Sequence, residues 1–191
     1  MKWLIASDIH GSAYYCRQLL EAYEREQADR MLLLGDLLYH GPRNDLPKEY
    51  DPKAVLAMLN AHKEDIWAVR GNCDGEVDQM VLEFPILADY CILVEGKHTI
   101  FATHGHHFHE QAVPPHHRGD ILLHGHTHVP KCVEHEDYIY MNPGSTSIPK
   151  EGSWHGYMIL ENDRFDWKDM EGNVQMTYAA GDTVQSERAA E

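Results

Sequence analysis

The feature that most constrains this chain is where its apolar runs stop. Residues 3–6 run into Asp8 and His10, residues 31–34 into Asp36, and residues 66–69 into Asn72. Helical patterns fill the gaps. Cys16, Leu19, Leu20 and Tyr23 share one face after Ser12, a candidate N-cap, and Val55, Leu56 and Leu59 follow Asp51 and Pro52, which suit the N-cap and first helical position. Short, wholly apolar strands alternating with helices are what a parallel sheet covered on both faces requires, so residues 1–74 read as β-α-β-α-β.

After Pro85 the rhythm changes. Residues 91–94 and 99–102 flank Glu95, Gly96 and Lys97, a hairpin signal, and further short strands follow at 121–123, around Val133, and at 138–141, 157–160 and 165–167. This half predicts a mixed or antiparallel sheet facing the first. The expected class is α/β (α+β), two packed mixed β-sheets flanked by helices. One domain is expected over 1–180, with 181–191 as a flexible tail. Trp3, Trp67, Tyr138 and Tyr140 fall on strand patterns and are assigned to the core.

Composition bounds the partners. The chain has 191 residues, 43% hydrophobic and 25% charged, enough for one ordinary globular core. Sixteen Lys and Arg against 31 Asp and Glu give a net charge of −15, which opposes attraction to long nucleic acid or an anionic membrane. A phosphate-bearing substrate must then be held locally, for instance by a bound cation. No apolar run approaches the roughly 18 residues of a membrane span. Asp8 arrives too early for a secretory signal, so a cytoplasmic location is expected. Cys16, Cys73, Cys91 and Cys132 form no C-x-x-C pair and read as free thiols. Of fifteen histidines, eleven lie between His98 and His135.

The donors are placed as a set. Asp8, His10, Asp36 and Asn72 are joined by His104 after the run 100–103 and by His126 and His128 after 121–123. Each falls just past the C-terminal end of a predicted strand, the edge where α/β sheets put ligand crevices. Seven donors exceed one tetrahedral ion and suit two ions sharing a carboxylate bridge, for which Asp36 is the natural candidate. Imidazole, carboxylate and amide oxygen together suit Mn²⁺, Fe²⁺ or Zn²⁺ and are too nitrogen-rich for Ca²⁺. Such a pair would clamp a phosphoryl group and hold a bridging hydroxide in line with the leaving group.

The segments Asp8-Ile9-His10-Gly11, Gly35-Asp36, Gly71-Asn72-Cys73-Asp74, Thr103-His104-Gly105-His106 and Gly125-His126-Thr127-His128 stand in the order and spacing of a known signature. In them the chain resembles the calcineurin-like metallophosphoesterases over residues 1–160. With His40-Gly41-Pro42-Arg43-Asn44 and Asn142-Pro143-Gly144-Ser145 it is similar, within them, to small bacterial phosphodiesterases of the YfcE type. The resemblance implies a sandwich of two mixed sheets and two divalent ions per chain, Mn²⁺ first, with Zn²⁺, Fe²⁺ or Ni²⁺ as other candidates. It implies Asp8, His10, Asp36 and His128 around one ion and Asp36, Asn72, His104 and His126 around the other. Asp36, Asn72, His104 and Cys73 are the expected catalytic positions. Cys73 is the departure: many relatives carry histidine there to assist the leaving group, and a thiol is a weaker donor. Oxidation sensing and simple packing are its other readings.

Arg43, Asn44 and His106 are candidate substrate contacts, with an Asp45 ion pair as the alternative for Arg43. Arg70 is expected to brace the Asn72 loop, and Asn142 to Ser145 to shape a turn under His126 and His128. The histidines at 106, 107, 109, 116 and 117, beside Pro114 and Pro115, are either solvated or a lid that attracts phosphate when charged. The expected activity is metal-dependent hydrolysis of small phosphodiesters. The alternatives are a catalytically silent interaction scaffold of the same fold, like the retromer subunit with a degraded metal site, and a metal-storage protein. Exposed strand edges in such sandwiches suggest a homodimer.

Overall fold

The structure, a computed structural model, describes residues 1–179; the tail expected at 181–191 lies outside the described residues. The chain opens with β1 (Trp3–Ala6), α1 (Ala13–Glu26), β2 (Arg30–Leu33), α2 (Pro52–Asn60) and β3 (Ile66–Ala68). The short α3 (Glu76–Gln79) follows, then β4 (Tyr90–Glu95), β5 (His98–Thr103), β6 (Asp120–His124), β7 (Pro130–Glu134) and β8 (Tyr138–Pro143). It closes with β9 (Gly156–Glu161), β10 (Arg164–Asp169) and β11 (Val174–Ala179). Both long helices start on the caps legible in the sequence. Ser12 Oγ accepts from the Tyr15 N–H and Asp51 Oδ1 from the Ala54 N–H, each cap worth about 1 kcal/mol.

Two mixed sheets result, ordered β11-β10-β9-β1-β2-β3 and β4-β5-β6-β8-β7. In the first, β1, β2 and β3 are parallel; in the second, β5, β6 and β8 are parallel, with β4 and β7 antiparallel at the edges. The pleat of β1 explains the core. Trp3 and Ile5 point at the other sheet and meet Ile100, Ile121, Met141, Met158 and Trp167, while Leu4 and Ala6 point outward against Cys16, Leu19, Val55 and Leu59. The helices therefore flank the first sheet. The outer face of the second packs Leu122, Tyr138 and Tyr140 with Phe101, Val113 and Val133, under the connection 104–119 rather than a helix.

Three features differ from the sequence reading. Strands β9 and β10 do not extend the second sheet: β9 returns antiparallel to β1, with Leu4 opposite Ile159, and carries β10 on its far side. Strand β11, with its alternating half-exposed pattern, extends that edge. Trp67 is 48% exposed, because β3 is an edge strand, and its ring leans edge-on against Trp3 at 5.2 Å.

Candidate metal centre

Parallel β1, β2 and β3 end together, and so do β5 and β6, which gathers their following loops at one rim of the sandwich. All seven predicted donors meet there. His10 Nε2 lies 3.5 Å from Asp8 Oδ1 and 3.6 Å from Asp36 Oδ2, and His128 Nε2 lies 3.2 Å from Asp8 Oδ1. On the other side His104 Nε2 is 3.5 Å from the same Asp36 Oδ2, 2.9 Å from Asn72 Oδ1 and 3.2 Å from His126 Nδ1. Two groups thus share one oxygen of Asp36. The floor, Asp8, His10, Asp36, His104 and His128, is buried; His126 is half-buried and Asn72 exposed, so the cluster opens on their side.

Each donor is aimed by its unused atom. His10, His104 and His128 place Nδ1 at 2.7, 2.7 and 2.6 Å from the carbonyls of Tyr39, Leu34 and Ile148. A carbonyl only accepts, so Nδ1 carries the proton and a neutral ring turns a bare Nε2 inward. Each carboxylate likewise commits one oxygen to the fold. Asp8 Oδ2 accepts from Ser7 Oγ and the His126 N–H, and Asp36 Oδ1 accepts from the Cys73 N–H at 2.7 Å.

What remains asks for a cation. Buried Asp8 Oδ1 has no hydrogen-bond partner, and the Nε2 atoms of His10 and His128 face each other at 3.2 Å. Two lone pairs at that distance repel unless a proton or metal stands with them. The donor set fits borderline divalent ions. Burial would raise the Asp8 pKa, but the His10 and His128 rings facing it hold it well below the usual range. Burial works against a charged His10, and Asp8 outweighs it, so that pKa rises.

The backbone carries the same signature. Asp8, His10, Asp36, His126 and His128 have φ of 60°, 49°, 55°, 66° and 62°. Left-handed backbone costs a non-glycine residue roughly 1–2 kcal/mol, though Asp and His tolerate it better than most. Five such residues within one cluster mark strain kept where side chains must be aimed. Gly71 shows why the loops fit so closely: a Cβ there would strike the backbone nitrogen and Oδ1 of Asp36.

Sequence reasoning passed over the brace. Buried Asp74 accepts the N–H groups of Asp36 and Gly71 on Oδ2, both at 2.8 Å, and that of Leu37 on Oδ1 at 2.9 Å. It ties the β2 loop to the β3 loop; its place two residues after Asn72 was the only available signal. Arg70 Nε donates to the Asp74 carbonyl at 3.2 Å. Asn142 Nδ2 reaches the Gly125 carbonyl and Thr127 Oγ1, while Ser145 and Ser147 donate to the Asp8 carbonyl. Trp167 Nε1 anchors the Asn142 carbonyl at 2.7 Å, linking the first sheet to this turn.

Cys73 is half-buried, and its Sγ belongs with His10 and Asp36 to a set of donor atoms within 4.8 Å of one another. Burial and the Asp36 charge push its thiol pKa up. The 39–50 loop abuts it, since a Cβ on Gly41 would stand 3.2 Å from Sγ. In that loop Arg43 is exposed and Asn44 Nδ2 donates to the His40 carbonyl at 2.8 Å. The loop histidines divide. His106 stands 5.4 Å from His104 and 6.4 Å from His126, ring to ring, with His107 against it at 4.0 Å. His116 instead pairs with Asp137 at 3.1 Å, and His109 with Gln111.

A two-sheet sandwich with acidic, imidazole and amide donors at one rim defines a metallophosphoesterase class, and comparison with known proteins agrees. The calcineurin-like phosphoesterase superfamily domain matches residues 1–164, and the chain belongs to that family. Phosphodiesterase YfcE of Escherichia coli K12 is 45% identical over 163 residues, which cover 85% of this chain and 89% of that protein. The solved E. coli YfcE structure superposes with a TM-score of 0.91 at 41% identity, covering 94% of this chain and all of that one. A phosphodiesterase of Methanocaldococcus jannaschii is 28% identical over 185 residues, 89% of this chain and 98% of its own.

Proposed function

We propose that this chain is a metal-dependent phosphodiesterase that hydrolyses small phosphodiesters at a two-ion centre, with Mn²⁺ the expected ion. The observation that carries the reading is the Asp36 carboxylate, one oxygen fixed by the Cys73 N–H and the other shared by the His10 and His104 groups. Asp8, His10, Asp36 and His128 would hold one ion, and Asp36, Asn72, His104 and His126 the other. Bound divalent ions supply polarisation of the phosphoryl oxygens and acidify water enough to give a nucleophile near neutral pH. The residues of the chain do the rest. Carbonyl-locked imidazoles hold the donors without reorganisation, and Asp74 holds the two loops in register.

Arg43, exposed on a loop that Asn44 closes, would offer its planar fork to a phosphate oxygen. Cys73, a neutral and weak donor, gives a departing alkoxide little help, and burial pushes the His106 pKa down to about 4, so that ring is neutral and the proton comes from water. Esters with good leaving groups are therefore favoured. The net charge of −15 repels long polynucleotides, which leaves small diesters as the substrate class. The test is a panel of phosphodiesters and monoesters on metal-stripped protein, with each divalent ion restored in turn. Mn²⁺ restores diester hydrolysis well above monoester hydrolysis. No hydrolysis with any ion would return the chain to the silent-scaffold reading.

A further inference from the structure

We propose that Cys73 is a positioning residue for the second ion: its sulfur holds the Nδ2 end of the Asn72 amide and so turns Oδ1 toward the His104 group. The role rests on the two-ion reading above. An asparagine amide has two ends of nearly the same shape. Only Oδ1 can bind a cation, because Nδ2 carries two donor hydrogens and accepts nothing. The last torsion of the side chain is broad and roughly two-fold, so hydrogen-bond partners must choose between the ends.

Asn72 is exposed at the open side of the cluster, so packing does not make that choice. Its Oδ1 lies 2.9 Å from His104 Nε2, and its Nδ2 donates to Cys73 Sγ at 3.2 Å. The first contact does not favour the orientation seen. His104 spends its Nδ1 proton on the Leu34 carbonyl at 2.7 Å, which leaves Nε2 a bare acceptor. Before an ion arrives, that nitrogen would sooner take a bond from Nδ2 than face Oδ1. The orientation that suits a cation therefore depends on the sulfur.

The sulfur is held for this task. The Cys73 N–H donates to Asp36 Oδ1 at 2.7 Å, and the 39–50 loop closes over the side chain, where a Cβ on Gly41 would stand 3.2 Å from Sγ. A thiol could hold the reverse orientation only by donating its S–H to Oδ1. Against that, a carboxylate oxygen of Asp36 and a ring nitrogen of His10 lie within 4.8 Å of Sγ, and a carboxylate takes such a proton better than an amide does. Asp36, shared by both ion groups, thus fixes the backbone of Cys73, and Cys73 fixes the amide of Asn72.

Mn²⁺ titration of the metal-stripped, full-length protein tests this, with free ion followed by electron paramagnetic resonance. The wild type takes up two ions. Cys73→Ala keeps one and binds the other about tenfold more weakly, the low end for a lost partner behind a metal ligand, because sulfur is a weak acceptor. Cys73→Ser loses similar volume but keeps an acceptor, and it binds like the wild type. In an Asn72→Asp background the carboxylate has no wrong end, so adding Cys73→Ala changes nothing. Equal losses in the alanine and serine variants would assign Cys73 to packing and overturn the role. So would no loss in Cys73→Ala, or a loss that persists beside Asn72→Asp. If Cys73→Ala unfolds, Cys73→Val, which keeps the volume without an acceptor, takes its place. A wild type that takes up one ion overturns the two-ion reading and this role with it; two ions with any of the other contrary results overturn this role alone.

Discussion

Replacing Asp74 by asparagine tests how the ligand loops are held. The carboxylate is 4% exposed and accepts three backbone N–H bonds, two on Oδ2 at 2.8 Å and one on Oδ1 at 2.9 Å. Asparagine keeps the shape but turns one acceptor into a donor, so at least one of those N–H groups faces another N–H. An orphaned buried N–H costs about 1–3 kcal/mol, and each surviving bond falls from charge-assisted to neutral strength, a loss of roughly 1 kcal/mol. Against this, burial foremost, with Asp36 beside it, already pushes the Asp74 pKa up, so removing the charge recovers part of the loss. The net destabilisation is about 2–3 kcal/mol, roughly 5–10 °C in Tm for a domain of this size. Because Asp74 also fixes the backbone of Asp36, Mn²⁺ affinity falls about 10–100-fold, the usual effect of losing a partner behind a metal ligand. Calorimetric melting of the metal-free protein and Mn²⁺ titration read the two effects separately. An unchanged Tm together with an unchanged Mn²⁺ affinity would refute the bracing role.

Asp36→Asn abolishes phosphodiester turnover and weakens both ions, because the shared oxygen is lost; near-normal hydrolysis would remove Asp36 from the centre. Gly71→Ala drives a methyl into Asp36 and costs at least about 1–3 kcal/mol, with Mn²⁺ binding impaired; a melt matching wild type would show that the loops have slack. Away from the site, the Glu26 carboxylate accepts two bonds from Lys168 Nζ and one from the Tyr157 hydroxyl. Burial would raise its pKa, but these partners lower it below the model-compound value of 4.5. Its contribution is therefore complete above pH 4.5 and lost as pH falls through the lower folded-state value. Glu26→Gln melts below wild type at neutral pH, and the gap closes on acidification; a gap independent of pH contradicts the assignment.

The first half of the fold was legible because its information is local. Strands buried on both faces must be apolar throughout, and Ser12 and Asp51 announce their helices. The destination of β9 was not, because pairing is a long-range choice: Tyr157 to Leu160 reads as apolar as Tyr138 to Met141, yet one joins β1 and the other β6. Trp67 misled for the same reason, since strand order alone decides that its strand is an edge. At the rim, the donors were legible by residue type and by their place after apolar runs. The brace was not. Asp74 serves backbone N–H groups, and sequence does not distinguish a carboxylate aimed at amides from one aimed at a cation. Nor does it show that each imidazole is locked by a carbonyl from a distant segment, as His104 is by Leu34.

The most direct measurement is a crystal structure of the Mn²⁺-loaded protein with anomalous scattering collected at the manganese edge, alongside elemental analysis of the dialysed sample. The account predicts two anomalous peaks per chain, one beside Asp8, His10 and His128, the other beside Asn72, His104 and His126, both touching Asp36. A single peak, or two peaks with no common Asp36 ligand, would contradict it.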